Sequence, residues 1–249
     1  MLNIIEIKDI IAIAKTAGDT IMKIYQKDFN VEYKEDSSPL TEADLASNRV
    51  IVQALEKYNI PIMSEEGRSI PFHERKAWEY YWCIDPIDGT KEFIKKNGEF
   101  TVNIALIHNH VPVLGVVYAP AMNDMYSAKK GEGAFKNKNK LPLSINNSPE
   151  KLLRVVASKS HLSDETQVFI DTLNSEKIEQ VSKGSSLKLC MVAEGSADIY
   201  PRLAPTMEWD TAAADAIVRE SGKMTYQYEC RRPMLYNKED LLNPWFIVK

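Results

Sequence analysis

The chain has 249 residues, 44% of them hydrophobic and 27% charged, which is enough apolar material for a sizeable core and by length about one to two domains. Thirty-one Lys and Arg against 35 Asp and Glu leave a net charge of −4, which argues against a general nucleic-acid binder because phosphate-backbone affinity needs clustered cations. Cys83, Cys190 and Cys230 are odd in number and far apart, so they offer neither a disulfide framework nor a CxxC zinc site and fit a reducing compartment.

In chain order, charge interrupts the apolar residues of Met1 to Asp9 too early for a signal peptide. Residues 4–25 read as an amphipathic helix, with Ile7, Ile10, Ile11, Ala14, Ala17, Ile21, Ile24 and Tyr25 spaced by threes and fours. The polar stretch from Lys34 to Pro39 reads as a loop. A second helix starts at Thr41, where Thr41-Glu42-Ala43-Asp44 has the form of a capping box, and runs to about Tyr58, ahead of Pro61. The period then changes. Residues 80–84, 101–108 and 113–118 are β-branched and aromatic runs, the last two joined by Asn109-His110, and 125–128 begins a further hairpin; an antiparallel sheet is expected. The basic run 136–140 reads as a solvated loop. The longest mostly apolar stretch, 111–122, contains Pro112, Gly115 and Pro120 and falls short of the ~20 residues of a membrane helix. Beyond residue 150 the pattern alternates: strand 154–158, helix 164–173, strand 178–181, helix 186–193, strand 197–200, helix 211–221 closed by Gly222, and strand 245–248. The expectation is an N-terminal α+β half over 1–145 and a C-terminal α/β half over 146–249, with a soluble, cytoplasmic location and peripheral contact with the inner membrane left open.

The chemistry concentrates where the apolar run ending at Cys83-Ile84 meets Asp85-Pro86-Ile87-Asp88-Gly89-Thr90. Pro86 fixes one φ angle and turns the chain in a defined way, which brings both carboxylates and the Ile87 carbonyl toward one point, an all-oxygen set suited to Mg²⁺. An ordinary Asp-closed turn accounts for the same residues equally well. Glu65, after the apolar 60–63 segment, is either a third carboxylate or a solvated loop residue. Asp210, ahead of Thr211-Ala212-Ala213-Ala214, is either an N-cap or an acid bridging to the same metal. Asp44 is explained by its capping box alone.

Together these blocks resemble the inositol monophosphatase superfamily of Mg²⁺-dependent, lithium-sensitive phosphatases: Glu65-Glu66, then Asp85-Pro-Ile-Asp-Gly-Thr90, then Trp209-Asp210-Thr-Ala-Ala213, in the family's order and spacing. Within it, the chain is most similar to the 3′(2′),5′-bisphosphate nucleotidase (CysQ) branch. Thr90-Lys91-Glu92-Phe93 stands where inositol phosphatases tend to carry Thr-Asn-Phe, and the blocks 97–105, Gly115 to Pro120, Ser158 to His161, Gly184 to Lys188 and Tyr200 to Arg202 agree. One departure is Ala214, followed by Asp215, where the family usually has Gly; Ala is a better helix former, so the metal site should survive while packing on that face is in question.

The resemblance implies a layered αβαβα sandwich. It implies one Mg²⁺ on Glu65, Asp85 and the Ile87 carbonyl, a second on Asp85, Asp88 and Asp210, and help from Glu65 with a third. It further implies that Thr90, bonded to Asp44, orients the attacking water, with Glu65 also catalytic. Glu65, Ile87, Asp88, Gly89, Thr90 and Asp210 would then surround the scissile phosphate, and Lys159, Ser160, His161 and Arg202 would contact the rest of the nucleotide. The implied activity is hydrolysis of adenosine 3′,5′-bisphosphate (PAP) to AMP, with the 5′-phosphosulfate analogue (PAPS) as a further candidate. The alternatives are inositol monophosphate hydrolysis and a non-catalytic Mg²⁺–phosphate binder. The partner is a small nucleotide rather than a nucleic-acid polymer, and oligomeric state is open.

Overall fold

The computed structural model describes residues 2–27, 29, 31–33, 39–144, 152–157 and 163–249. A 3₁₀ turn at Leu2–Ile4 precedes α1 (Ile7–Tyr25), whose Ile10, Ile13, Ala14, Ala17 and Ile21 form the buried stripe that the period of 3.6 dictates. β1 (Val31–Tyr33) and β2 (Pro39–Thr41) pair antiparallel, so Pro39 belongs to a strand rather than to the expected loop. α2 (Glu42–Leu55) opens on the expected capping box: Ala43 N donates to Thr41 Oγ1 at 3.2 Å and Thr41 N donates to Asp44 at 2.8 Å. A 3₁₀ turn, Glu56–Tyr58, then ends at Asn59 with φ 51°.

The middle of the chain forms one seven-stranded sheet, in sequence order from β3 to β9: β3 (Ile62–Ser64), β4 (Tyr80–Asp88), β5 (Thr101–His108), β6 (Val111–Ala119), β7 (Asp124–Lys129), β8 (Gly133–Lys136) and β9 (Asn139–Lys140). Only β3 and β4 run parallel. Two short helices interrupt it, α3 (Phe72–Arg75) before β4 and α4 (Thr90–Ile94) after it. Asn109 and His110 turn between β5 and β6 with φ of 46° and 66°, as a two-residue hairpin of this twist demands. Residues 137–140 of the basic run are exposed as expected, but they form the tip of the β8–β9 hairpin rather than an irregular loop. Lys136 lies 3.2 Å from Asp124 and 3.0 Å from Glu194, so acids from two other segments neutralise it, and Asn137 takes the turn with φ 56°.

Both faces of this sheet are covered, which is why its strands read as continuous apolar runs. Trp82, Ile84, Ile104, Leu106, Leu114 and Val116 pack with Ile10, Ile13, Ile21 and Ile51 of α1 and α2. Their strand neighbours Tyr81, Cys83, Ala105, Ile107 and Val117 join a core with α6 (Leu187–Glu194) and α7 (Glu208–Glu220). β6 meets α7 backbone to backbone: a Cβ on Gly115 would lie 2.1 Å from the Ala213 carbonyl oxygen. Ala214, at the position of the family Gly, is fully buried in that same core.

The remaining elements are β10 (Leu152–Val156), α5 (Asp164–Asp171), β11 (Lys177–Val181), β12 (Tyr200–Arg202), β13 (Thr225–Gln227) and β14 (Phe246–Val248). β10 pairs parallel with β11, and β14 is the central strand between β12 and β13. A Val155–Ile199 bridge links the two sheets. Val156, Tyr200, Phe246 and Val248 face the α6–α7 core, whereas Val155, Ile199 and Ile247 pack with Ile170 of α5. The layers therefore alternate helix, sheet, helix, sheet, helix, the expected αβαβα sandwich. Among the described residues no helix is long and apolar enough to cross a membrane.

Candidate active site

The site begins with an irregularity in β4. Asp85 pairs with Asn103 and Asp88 with Thr101, so three steps on β4 oppose two on β5. In a regular strand, residues three apart point to opposite faces. The extra residue of the bulge at Pro86-Ile87 puts Asp85 and Asp88 on the same face, toward α7. Ser47 of α2 holds the bulge by donating to the Pro86 carbonyl at 2.9 Å. Asp85 Oδ1 accepts from Ile87 N at 3.0 Å, so the Asp-closed turn is present and uses one oxygen. The other, Oδ2, is buried and has no hydrogen-bond partner.

Glu65 follows β3, and its N–H donates to the Ile84 carbonyl at 3.2 Å, which seats it beside Asp85. Asp210 arrives from the opposite layer. α7 was expected from Thr211 with Asp210 as N-cap; it starts at Glu208, with Met207 at the N-cap, and Asp210 reaches back from the third helical position to accept the Met207 N–H at 2.8 Å. Carboxylate oxygens of Glu65, Asp85 and Asp210 all lie within 4.8 Å of one another. Asp88 stands beside this trio, its Oδ2 accepting from Ser186 Oγ at 2.6 Å.

Burial, with Glu65, Asp88 and Asp210 nearby, pushes the Asp85 carboxyl well above the usual range. Burial and then the charge of Asp88 push Asp210 up to about 8. Buried acids crowded in this way, one with an orphaned oxygen, fit a divalent cation: hard oxygen donors meet a hard ion, and the repulsion becomes attraction when it binds.

Thr90 opens α4 just after Gly89, whose φ of 94° suits glycine. Thr90 Oγ1 lies 3.2 Å from Asp44 Oδ1 and 3.3 Å from the Ile87 carbonyl. Asp44 is buried; its Oδ2 is taken by Thr41 N and Thr41 Oγ1, which leaves Oδ1 toward Thr90. Burial raises the Asp44 carboxyl above its ordinary range, against the lowering effect of the Thr41 bonds.

Gly89 and Thr90 border a cavity of about 310 Å³. Glu65, Asp88 and Asp210 form one side, Lys183, Lys188 and Arg202 supply cations, and Leu189, Tyr200 and Phe246 give apolar wall. Lys188 Nζ donates to the Ser185 carbonyl at 2.7 Å. Burial lowers its ammonium below the ordinary value, Asp88 opposes this, and Arg202 adds to it. Arg202 donates to the Pro205 carbonyl at 2.9 Å while its buried Nε has no hydrogen-bond partner. Lys159, Ser160 and His161 lie outside the described residues. Lys188 was not singled out from sequence, although a lone cation in the first turn of the apolar segment Leu187-Lys188-Leu189-Cys190 is a visible signal.

The first turn of α7 is held by a buried network. Glu208 accepts from Asn237 N at 2.6 Å and Lys238 N at 3.0 Å, and pairs with the Lys238 ammonium. Buried Arg75 of α3 donates to Asn237 Oδ1 at 2.9 Å and to the Glu239 carbonyl at 2.8 Å. Asn243 Nδ2 donates to the Met207 carbonyl at 2.7 Å and to Thr211 Oγ1 at 3.1 Å. Asp215, beside Ala214, is buried and paired with Arg219 at 2.9 Å and Tyr236 at 3.1 Å.

A layered αβαβα sandwich with a carboxylate cluster between its first sheet and its central helical layer defines a class of metal-dependent phosphatases, and the model of the inositol monophosphatase family matches residues 5–245; the chain belongs to that family. Among solved structures it is similar to CysQ from Bacteroides thetaiotaomicron, at 44% identity and a TM-score of 0.89, covering 97% of this chain and 96% of that one. The 3′(2′),5′-bisphosphate nucleotidase CysQ of Escherichia coli (strain K12) is 44% identical over 241 residues, 95% of this chain and 96% of that protein. The protein of the same name from Salmonella typhimurium is 42% identical over 246 residues, 97% and 98% of the two chains. An inositol monophosphatase from Thermotoga maritima is similar at 28% identity, with a TM-score of 0.78 over 96% of this chain and 89% of that one.

Proposed function

We propose that this chain hydrolyses the 3′-phosphate of PAP to give AMP and phosphate, using two or three Mg²⁺ ions held by Glu65, Asp85, the Ile87 carbonyl, Asp88 and Asp210. One observation carries the reading: a carboxylate cluster and the Lys188–Arg202 cation pair border the same cavity. A substrate with two anionic groups satisfies both ends. A cyclitol monophosphate brings no second anionic group to the cation pair, which favours the nucleotide over the inositol ester. The relatives named as bisphosphate nucleotidases point the same way.

When bound, the cations neutralise the phosphate oxygens and make water a better nucleophile at neutral pH. The protein supplies position and a proton path. Thr90 has one hydroxyl proton and directs it toward Asp44, so its lone pairs are left to accept from the attacking water. As the water loses a proton, Thr90 relays one to Asp44, whose buried carboxyl has a raised affinity for it. Gly89 and Thr90 border the scissile phosphate, while Lys188 and Arg202 take the 5′-phosphate.

The test is phosphate release from PAP, PAPS and myo-inositol 1-phosphate, side by side, with and without Mg²⁺. Mg²⁺-dependent preference for PAP over the inositol ester is the expected result. Preference for the inositol ester would overturn the substrate assignment, and turnover of none of them would overturn the enzymatic reading.

A further inference from the structure

We propose that Ser186 is a positioning residue that ties Asp88 to α7, so that acids from the two layers present to the same ions; this rests on the metal-dependent reading above. Ser186 is 1% exposed and stands at the N-cap of α6. A serine there normally spends its oxygen on the first free N–H groups of the helix. This one makes no capping hydrogen bond and has helical dihedrals, φ −65° and ψ −10°. Its hydroxyl instead lies 2.6 Å from Asp88 Oδ2 and 2.8 Å from the Asp210 carbonyl oxygen. Asp88 comes from the end of β4 and Asp210 from α7, so a single hydroxyl spans the seam between the elements that carry the acids.

The orientation of that hydroxyl is fixed from behind. Thr101 Oγ1 donates to Asn103 Oδ1 at 3.0 Å, which sets the amide so that Asn103 Nδ2 donates to Ser186 Oγ at 2.7 Å and, with a longer bond of 3.4 Å, to Asp88 Oδ2. Thr101 and Asn103 are buried neighbours on one face of β5, opposite Asp88 and Asp85 respectively. With a Ser186 lone pair occupied by Asn103, the one hydroxyl proton points forward, to Asp88 or the Asp210 carbonyl. Asp88 thereby loses rotational freedom at Oδ2 and keeps Oδ1 for a ligand. Groups that hold metal-binding carboxylates in this way are worth roughly 10–100-fold in metal affinity.

The experiment is a Mn²⁺ titration of the intact protein, read by the paramagnetic resonance signal of free Mn²⁺, on wild type, Ser186→Ala, Asn103→Ala and the double variant, with PAP hydrolysis measured alongside. Because no cap is lost, Ser186→Ala should melt near the wild-type temperature in chelator and bind Mn²⁺ about 10–100-fold more weakly. The double variant should fall well short of the sum of the two single losses, since Asn103 acts mainly through the hydroxyl and only weakly, at 3.4 Å, on Asp88 itself; Ser186→Thr, which keeps the hydroxyl, should recover most of the affinity. Wild-type affinity in Ser186→Ala, or losses that add in the double variant, would overturn the proposal. A wild-type protein that binds Mn²⁺ without hydrolysing PAP would defeat the functional reading while the role of Ser186 stands; one that binds no Mn²⁺ would defeat both.

Discussion

Replacing Lys188 by Met removes one charge of the cation pair while keeping side-chain length. Lys188 is largely desolvated, bonded through one donor to the Ser185 carbonyl at 2.7 Å, and close enough to Arg202 that the guanidinium disfavours its charge. A 5′-phosphate relieves that repulsion and accepts a charged hydrogen bond, an interaction worth about 1.5–3 kcal/mol. At 1.36 kcal/mol per tenfold, the loss is about 10-fold to 150-fold in kcat/KM for PAP. The matched substrate is 3′-AMP, which has the scissile phosphate and lacks the 5′-phosphate. Wild type should prefer PAP, and Lys188→Met should lose that preference with little change on 3′-AMP. Initial-rate kinetics at saturating Mg²⁺ on both substrates decide it. Equal losses on the two substrates would refute the assignment of Lys188 to the second phosphate, as would no loss on either.

Thr90→Ala should lower kcat by about 10²–10⁴-fold while Mn²⁺ affinity stays near wild type, because the hydroxyl serves the proton path and not the ions; parallel loss of both would place Thr90 among the metal ligands. Asp210 near 8 and Asp85 raised mean that the metal-free site holds protons at neutral pH. Cations must displace these protons, so Mg²⁺ affinity should rise with pH through about 8, with proton release visible in calorimetry as a dependence on buffer ionisation enthalpy. Affinity that is flat from pH 6 to 9 would contradict the burial argument. Gly115→Ala sets a methyl 2.1 Å from the Ala213 carbonyl oxygen and should cost at least about 1–3 kcal/mol, a fall of several degrees in Tm; an unchanged melting curve would show that α7 slides freely on β6.

Elements made by local signals were readable from sequence. β5 occupies residues 101–108 as expected because an apolar run is bounded on one side by the Asn109-His110 turn, and α2 begins at its capping box because Thr41 and Asp44 are three apart. Much of the acid set was likewise visible through its motifs. What was not visible depends on contacts between distant segments. Regular strand spacing puts Asp85 and Asp88 on opposite faces; the turn at Pro86 is the signal for their convergence, but only the pairing with β5 shows that a bulge brings it about. The start of α7 was placed three residues late because Asp is a common N-cap, whereas here Asp210 caps backward onto Met207. Lys136 looked solvated because its partners, Asp124 and Glu194, are remote in sequence. Lys188 gained a role only when α6 met β12 across the cavity.

The central position of β14 has a consequence for the order in which the chain can assemble. α1, α2 and the seven-stranded sheet are all encoded before residue 141, so the first core can close while the ribosome is still making the rest. The second sheet cannot: its middle strand, Phe246–Val248, comes last, and the residues that grip α7, from Asn237 to Asn243, come just ahead of it. Until translation passes Val248, β12 and β13 have no strand between them and Asp210 sits on a helix with nothing to hold its first turn. The acidic cluster is therefore completed in two stages: Glu65, Asp85 and Asp88 are made with the first core, and Asp210 joins them only when the second sheet closes behind α7.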